Sequence, residues 1–274
     1  MIDLHLHTTA SDGLLEPAAL VERAATAGLS TIAVTDHDTV GGIAAARDAG
    51  IGFGVRVIAG IEVTAVENGR DLHILGYFFD PLSAALGRFL TAQRADRIRR
   101  VREIGARLGD LGYPLDVAPL LSAASQSGRS VGRPAIADAL VAAGHCADRN
   151  DAFARLLGRG CPAFVPRQGT SPAAVVEIIH AAHGIASLAH PGISADDAMI
   201  ERLVSAGLDA IEVWHSDHSA GQQQHYGELA DRLNVAKTGG SDYHGDGVHR
   251  ACRLGGVMLP AIELARLEAL AAWS

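Results

Sequence analysis

Short runs rich in β-branched and aliphatic residues alternate along the chain with Ala-rich segments of helical periodicity. This alternation is typical of β/α units, in which a helix follows each strand and packs back onto the sheet. Seven strands are predicted, over Ile2–Leu6, Thr31–Thr35, Val55–Ala65, Leu72–Phe78, Ile185–Ala189, Ala210–Trp214 and Val235–Gly239. Helices are predicted between them, over Glu16–Ala27, Val40–Ala49, Pro172–His183, Asp196–Ala206 and Ala220–Leu233.

One connection departs from this pattern. The pair Asn68-Gly69 lies between the third and fourth strands and is typical of a tight hairpin turn. Those two strands are therefore predicted to pair antiparallel, which interrupts a regular eightfold barrel. We predict an α/β fold, a distorted (β/α)7 barrel with a helical insert, in preference to an open doubly wound sheet.

The insert is the stretch 81–167, where the alternation stops and several helices are predicted, including a long one around Ala84–Leu111. This stretch holds 13 arginines and 7 acidic residues, a balance of +6, whereas the rest of the chain has a balance of −14. We therefore expect residues 1–80 and 168–274 to form an acidic barrel and 81–167 to form a basic helical insert.

Composition excludes several classes of protein. The 274 residues are 48% hydrophobic and 20% charged, which is typical of a globular chain. No apolar run approaches the roughly 18 residues of a membrane helix, and polar residues from Asp3 onward interrupt any signal peptide. The three cysteines form no CxxC pair, so a cytoplasmic protein without a disulfide framework is expected. The net charge of −8 argues against a general nucleic-acid coat, and the 13 histidines require another explanation.

The first strand carries the sharpest chemical signal, Asp3-Leu-His5-Leu-His7, with Asp12 soon after it. Residues i and i+2 of a strand project to the same face, so His5 and His7 can direct two imidazoles at one point. The alternative is a half-buried strand with incidental histidines. Metal binding is favoured because alternating histidines on an apolar strand are costly without a partner.

Further candidate ligands lie within the strands or directly after them: Asp36, His37 and Asp38, Glu62, His73, His190, His215, and Asp242 with His244. The carboxyl ends of barrel strands form one mouth, where active sites of such barrels lie. Histidines mixed with carboxylates suit Zn, Mn or Fe, and there are too many ligands for one tetrahedral ion. Two or three clustered ions are implied, and two ions can hold a hydroxide between them. The residues therefore indicate a multinuclear metallohydrolase.

The motifs DLHLHT, TDHD, GIEVT, HILGY, AHP and GSDYHG, in this order, resemble the signature of the PHP (polymerase and histidinol phosphatase) family. The resemblance implies a distorted seven-stranded barrel with up to three divalent ions. One ion is then expected at His5, His7, Glu62 and Asp242, a second at Glu62, His73 and His190, and a third at Asp12, His37 and His244. Asp12 replaces a histidine found in some histidinol phosphatases, so Asp12 and His37 are alternatively expected to contact the substrate.

Within that family, the short chain and the insert resemble the branch that acts on nucleoside 3′,5′-bisphosphates and on the 5′ ends of short RNA. The insert segment Ser127-Gly-Arg-Ser-Val-Gly-Arg-Pro134 resembles that branch's insert motif. Arginine forks bind phosphate bidentately, so Arg129 and Arg133 are expected to hold a second phosphate.

The expected activity is removal of the 3′-phosphate from nucleoside 3′,5′-bisphosphates by a hydroxide that bridges two metal ions. Glu62, Asp242 and His190 are the predicted catalytic residues, and His218 is expected to contact the substrate. Manganese is the first choice of metal, with zinc or iron as alternatives. Neither a membrane nor an obligate protein partner is indicated.

Three other functions remain open at this point. The branch resemblance also allows 5′-to-3′ exoribonuclease activity on short 5′-phosphorylated RNA, which needs the same attack with a different leaving group. Histidinol phosphate phosphatase would use the same metals, but its substrate is cationic and the insert is basic. A metal-binding structural module is disfavoured because every ligand position is filled.

Overall fold

The computed structural model describes residues 1–126, 130–246 and 252–272 and contains all seven predicted strands. They run over Ile2–Leu6 (β1), Thr31–Val34 (β2), Arg56–Glu67 (β3), Arg70–Tyr77 (β4), Ile185–Leu188 (β5), Ala210–His215 (β6) and Ala236–Gly240 (β7). The strands form one sheet in chain order from β1 to β7. The prediction of a distorted α/β barrel is confirmed.

One strand of the described sheet, β4, runs opposite to the other six. β1, β2 and β3 pair in parallel, β4 is antiparallel to both β3 and β5, and β5, β6 and β7 are again parallel. Asn68 and Gly69 form the turn between β3 and β4 with φ angles of 50° and 71°. Positive φ at both central residues is the conformation that an Asn-Gly hairpin turn requires, so the predicted hairpin is confirmed.

The sheet nearly closes on itself at the carboxyl ends of its first and last strands. Leu6 forms a parallel bridge with Tyr243, the third residue after β7. The Asp242 amide donates to the His5 carbonyl at 2.9 Å, and the His7 amide donates to the Tyr243 carbonyl at 3.0 Å. These bonds tie the two histidines of β1 to the segment that carries Asp242.

The helices run over Pro17–Thr26 (α1), Ile43–Phe53 (α2), Ala84–Asp110 (α3), Ala118–Gln126 (α4), Arg133–Ala142 (α5), Arg149–Ala152 (α6), Pro172–Ala181 (α7), Pro191–Ser194 (α8), Asp197–Ser205 (α9), Ala220–Leu233 (α10) and Ala261–Ala271 (α11), and a π-helical turn follows α6. Their starts follow local chemistry. Ser219 caps α10 through a capping box with Gln222, and Ser171 caps α7, which begins with Pro172. Among the described residues, no helix is both long and apolar enough to cross a membrane.

The chain divides into two compact units, one comprising Met1–Leu90 and Gly169–Ser274 and the other Thr91–Gln168. The first unit contains the seven strands, and its largest hydrophobic core packs β3, β4, β5 and β6 against helices such as α7 and α10. The second unit has helices and no strand among its described residues, and it has its own core, which includes Val101, Ile104, Leu140 and Leu157.

Candidate metal centre

Strands and the turns directly after them bring the candidate ligands together in the first unit. His5 lies within β1 and His7 directly follows it, while Glu62 lies within β3 and His73 within β4. The segments after β2, β5 and β7 carry His37, His190, and Asp242 with His244. Because these ends meet at one mouth of the barrel, residues far apart in sequence become neighbours.

The carboxylate of Glu62 is the centre of the cluster and is only 1% exposed. Its Oε1 lies 2.7 Å from His73 Nδ1 and 3.1 Å from His190 Nε2. Its Oε2 lies 3.0 Å from His37 Nδ1, 3.2 Å from His7 Nε2 and 3.4 Å from His5 Nε2. One carboxylate therefore faces five imidazoles, which is the arrangement expected of a ligand shared between cations.

Asp242 contributes a second carboxylate to the same cluster. Its Oδ1 lies 3.3 Å from His5 Nε2 and 3.1 Å from His7 Nε2. Its Oδ2 lies 3.4 Å from the Nε2 atom of His215. His5, His7, Glu62 and Asp242 form one group whose ligand atoms all lie within 4.8 Å of one another. These are the four residues predicted for the first ion.

Asp12 forms a further group with His7, His37 and His244. Its Oδ1 lies 3.2 Å from His244 Nε2 and 3.8 Å from His7 Nδ1, and its Oδ2 lies 3.9 Å from His37 Nε2. The predicted second group is also present, since His73 Nδ1 lies 3.3 Å from His190 Nε2 and both contact Glu62. The structure thus brings all nine predicted ligands into one cluster.

Two features of the cluster suit bound cations: buried polar atoms without hydrogen-bond partners, and the types of ligand atom that it contains. Several of its buried atoms have no hydrogen-bond partner among the described residues: His5 Nε2, His7 Nε2, Asp12 Oδ1, His37 Nδ1, Glu62 Oε2, His190 Nδ1 and His215 Nε2. Buried polar atoms are costly without a partner, and lone pairs directed at one point are compensated by a cation. Mixed imidazole and carboxylate donors suit Mn, Fe or Zn.

Burial and close packing of charge shift the pKa values in this cluster. Burial would raise the pKa of Glu62, but His37, His73 and His5 outweigh it and hold the pKa well below its usual range. Burial would lower the pKa of His7, yet contacts with Asp242 and Glu62 raise the pKa to about 10. Burial dominates at His37 and lowers its pKa to about 3. The carboxylates therefore stay ionised, as cation ligands must.

Three of the seven residues other than glycine that have positive φ among the described residues lie at or beside the cluster. His190 has a φ of 28° and Asp242 a φ of 55°, and Asp38, next to His37, has a φ of 50°. Such conformations cost about 1–3 kcal/mol each for residues other than glycine and persist only where surrounding contacts hold them. At Asp38 one such contact is visible, because its Oδ1 accepts the Thr64 amide at 2.8 Å.

Asp36 supports the loop that carries Asp12. Its Oδ1 accepts the Thr8 amide and the Ser11 hydroxyl, both at 2.7 Å, and its Oδ2 accepts the Thr8 hydroxyl at 2.7 Å. A buried carboxylate with three donors fixes the backbone that it contacts. Asp36 thus holds the loop between β1 and α1 against the segment that follows β2.

Sequence reasoning missed Glu212, which is fully buried within β6. Its Oε1 lies 2.9 Å from His5 Nδ1, and its Oε2 accepts the His190 amide at 2.7 Å. It also forms a compact group of potential ligands with His5 and His215. The available signal was a glutamate in the middle of the apolar strand Ala210–His215, where an ionisable side chain needs a partner.

The predicted substrate-binding residues lie in different surroundings. His218 is buried, its Nδ1 lies 2.9 Å from the Val213 carbonyl and its Nε2 accepts the Gly192 amide, so its contact with substrate stays a prediction. Burial lowers the pKa of this imidazole. Arg133 is the first residue of α5 in the second unit. Arg129 lies outside the described residues.

A cavity of about 620 Å³ adjoins the cluster in the first unit. Asp242, His244 and His215 line one part of it, and Ser216, Asp217, Ser241, Cys252, Arg253, Gly256 and Val257 line the rest. This volume is within the range of small-molecule sites. Of the nine candidate ligands, Asp242 and His244 are therefore exposed to a cavity that can hold a small molecule.

Comparisons with known proteins agree with this geometry. A model of the PHP domain matches residues 3–126. A 5′-3′ exoribonuclease of Haemophilus influenzae is 35% identical over 249 residues, which cover 88% of this chain and 89% of that protein. A 3′,5′-nucleoside bisphosphate phosphatase of Chromobacterium violaceum is 34% identical over 254 residues, which cover 90% and 88%.

A solved structure from Bifidobacterium adolescentis, described as a metal-dependent phosphoesterase, superposes with a TM-score of 0.89 at 32% identity and covers 98% of this chain and 96% of that one. Similarity over nearly the whole chain, together with the clustered imidazoles and carboxylates, identifies a hydrolase that acts on phosphate esters. The chain belongs to the PHP family.

Proposed function

We propose that the protein removes the 3′-phosphate from nucleoside 3′,5′-bisphosphates. The observation that carries this proposal is the Glu62 carboxylate in contact with five imidazoles, because a multinuclear centre of this kind suits attack on phosphorus. The relative from Chromobacterium violaceum, named for this activity, supports the choice of substrate.

The groups of potential ligands around Glu62, Asp242 and Asp12 support two to three divalent ions, with manganese as the first choice and zinc or iron as alternatives. Bound cations would neutralise charge on the phosphoryl oxygens and lower the pKa of an attacking water. Glu62 would share its two oxygens between such cations. His190 contacts Glu62 directly, and Asp242 contacts His5, which also contacts Glu62. The burial of Glu62 and His5 keeps bulk water away from this part of the site.

The Asp12 group has two possible uses. With His37 and His244, Asp12 either holds a third cation or hydrogen-bonds to the substrate. Asp12 is 23% exposed and His37 16%, whereas Glu62 is almost fully buried, so the Asp12 group lies closer to solvent. We assign it to a third cation because the buried Oδ1 atom of Asp12 has no hydrogen-bond partner among the described residues.

We further propose that Arg133 binds the second phosphate of the substrate. Its guanidinium packs over the rings of Phe153 and Phe164, at 5.8 and 5.5 Å from their centroids. Arg97 and Arg100 lie near it at the start of α5, and Arg133 Nη1 also donates to the Leu157 carbonyl at 3.5 Å. Arginine forks and the first amides of a helix are both suited to phosphate.

One neighbouring atom adds to this assignment. Ser130 is 9% exposed, and its hydroxyl has no hydrogen-bond partner among the residues that the structure describes. A buried hydroxyl close in sequence to the start of α5 is suited to donate to a phosphate oxygen. Arg129, the other arginine predicted for this role, remains a proposal from sequence.

Exoribonuclease activity on short 5′-phosphorylated RNA is the second candidate. It is favoured by the relative from Haemophilus influenzae, which has this name and nearly the same identity and coverage. Both reactions break a phosphate ester by attack on phosphorus, so the centre around Glu62 serves either.

The decisive experiment measures product release by the Mn²⁺-loaded protein from adenosine 3′,5′-bisphosphate, AMP, histidinol phosphate and a 5′-phosphorylated oligoribonucleotide. We expect kcat/KM to be highest for the bisphosphate, with inorganic phosphate and AMP as products. Comparable release of mononucleotides from the oligomer would instead establish the exoribonuclease. Preference for histidinol phosphate would refute both.

A further inference from the structure

Glu212 lies between two ligands of the proposed metal centre without being one of the nine. Its side chain is fully buried, and its two oxygens have separate partners. Oε1 is 2.9 Å from the Nδ1 atom of His5, and Oε2 accepts the backbone amide of His190 at 2.7 Å. One carboxylate thus connects β1 to the segment that follows β5.

The contact with His5 determines which ring nitrogen carries the proton. A carboxylate beside Nδ1 favours the proton on Nδ1, which leaves the lone pair on Nε2. His5 Nε2 lies 3.4 Å from Glu62 Oε2 and 3.3 Å from Asp242 Oδ1 and has no hydrogen-bond partner among the described residues. The free lone pair therefore points at the first group of ligands.

The contact with His190 holds a strained backbone. His190 has φ 28° and ψ 58°, a left-handed conformation that residues other than glycine rarely adopt. In this conformation its Nε2 reaches within 3.1 Å of Glu62 Oε1. The hydrogen bond from its amide to Glu212 Oε2 satisfies a buried donor that would otherwise favour a different backbone.

We infer that Glu212 is a positioning residue that sets the His5 tautomer and the His190 backbone, and so orients one ligand on each side of Glu62. The inference rests on the metal centre of the proposed function. It predicts that the charge of Glu212 affects cation affinity although Glu212 binds no cation.

The chain offers a matched control next to the same strand. Asp209, directly before β6, also accepts from one imidazole and one amide, since its Oδ2 lies 2.7 Å from His180 Nε2 and 2.8 Å from the Ala186 amide. Glu212→Gln and Asp209→Asn each replace a carboxylate by an amide of the same size. The new NH2 group cannot accept a hydrogen bond, so Glu212→Gln loses one of its two contacts. Asp209→Asn loses its charge but can keep both contacts on its remaining oxygen, because both partners of Asp209 contact Oδ2.

The experiment is equilibrium dialysis of Mn²⁺ against wild type, Glu212→Gln and Asp209→Asn, with urea unfolding of each. We expect the dissociation constant to rise by about 10- to 100-fold in Glu212→Gln, the usual effect of losing a residue that orients a metal ligand. Asp209→Asn is expected to stay within twofold of wild type. Equal affinities in wild type and folded Glu212→Gln would overturn the inference.

A second measurement needs no variant that alters Glu212. In the Zn²⁺-loaded wild-type protein, the ¹⁵N shifts of the His5 ring, assigned by comparison with His5→Gln, are expected to show a protonated Nδ1 and a metal-bound Nε2. A metal-bound Nδ1 would refute the positioning role and make Glu212 a ligand. If the wild-type protein binds neither Mn²⁺ nor Zn²⁺, the proposed function is refuted. If wild type binds Mn²⁺ and Glu212→Gln binds it equally well, only the role of Glu212 is refuted.

Discussion

Replacing Glu62 by glutamine is the most direct test of the metal centre. The substitution keeps the size of the side chain and removes one negative charge from a carboxylate that is 1% exposed. The ring nitrogens of His5, His7, His37 and His73 lie 2.7–3.4 Å from its oxygens. Any cation that these nitrogens bind is therefore close to the lost charge.

The distances determine the size of the expected effect. Each unit of charge on a cation about 4 Å away interacts with the carboxylate by about 4 kcal/mol at an effective dielectric constant of about 20. Since each 1.4 kcal/mol changes a binding constant about tenfold, the loss of the Glu62 charge should weaken the binding of a divalent cation by at least about a thousandfold. Because bound cations supply the chemistry, turnover at a fixed Mn²⁺ concentration should fall by a similar factor.

The assay combines Mn²⁺ equilibrium dialysis with phosphate release from adenosine 3′,5′-bisphosphate. Glu67→Gln is the matched control, because Glu67 lies on the same strand but its side chain is 30% exposed and 4.0 Å from Arg202. We expect wild-type affinity and turnover in that variant. A folded Glu62→Gln protein with Mn²⁺ affinity and kcat within twofold of wild type would show that Glu62 does not bridge cations.

Two further pairs of variants test packing and substrate binding. A Cβ added at Gly240 would overlap with the backbone nitrogen of His5. Gly240→Ala should therefore lower the free energy of urea unfolding by about 1–3 kcal/mol and weaken Mn²⁺ binding. At Gly52 in α2, an added Cβ would meet no atom of the described residues within 4 Å apart from its chain neighbours, so Gly52→Ala should stabilise the protein by up to about 1 kcal/mol. An equal loss of stability in both alanine variants would contradict the packing argument. Arg133→Ala should raise the bisphosphate KM by about 10- to 100-fold, for a lost charged hydrogen bond of about 1.5–3 kcal/mol. Arg102→Ala, which changes an exposed position of α3, should leave the KM for the bisphosphate unchanged. If Arg133→Ala raises the KM for a monophosphate by the same factor, the second phosphate site is refuted.

The sequence was informative about the fold because the barrel strands are short apolar runs separated by polar segments. β1 is observed over the predicted residues Ile2–Leu6, and α10 over Ala220–Leu233. Boundaries were less predictable where tertiary pairing decides them. β3 continues to Glu67, two residues beyond its predicted end, because it pairs with β4 as far as the turn.

The missed role of Glu212 shows where sequence reasoning has too little information. The triplet Ile-Glu-Val occurs twice, at Ile61–Val63 in β3 and at Ile211–Val213 in β6. The first glutamate was interpreted as a ligand, whereas the second received no role. Both are buried, yet Glu62 faces ring nitrogens only, while Glu212 also accepts a backbone amide. Only the spatial neighbours distinguish the shared ligand from the residue that orients other ligands.

The antiparallel β4 explains why a single carboxylate can lie at the centre of the site. The regular parallel pairing of β2 with β3 ends at Val34 and Ala59, and a single parallel bridge between His37 and Glu62 follows it. In a regular β/α unit the chain would turn into a helix near that point. Here β3 continues because β4 pairs with it, and Glu62 lies opposite Leu75. The same reversal brings His73, near the start of β4, back to the mouth of the barrel. The hairpin that distorts the barrel thus supplies both the shared carboxylate and one of its imidazoles.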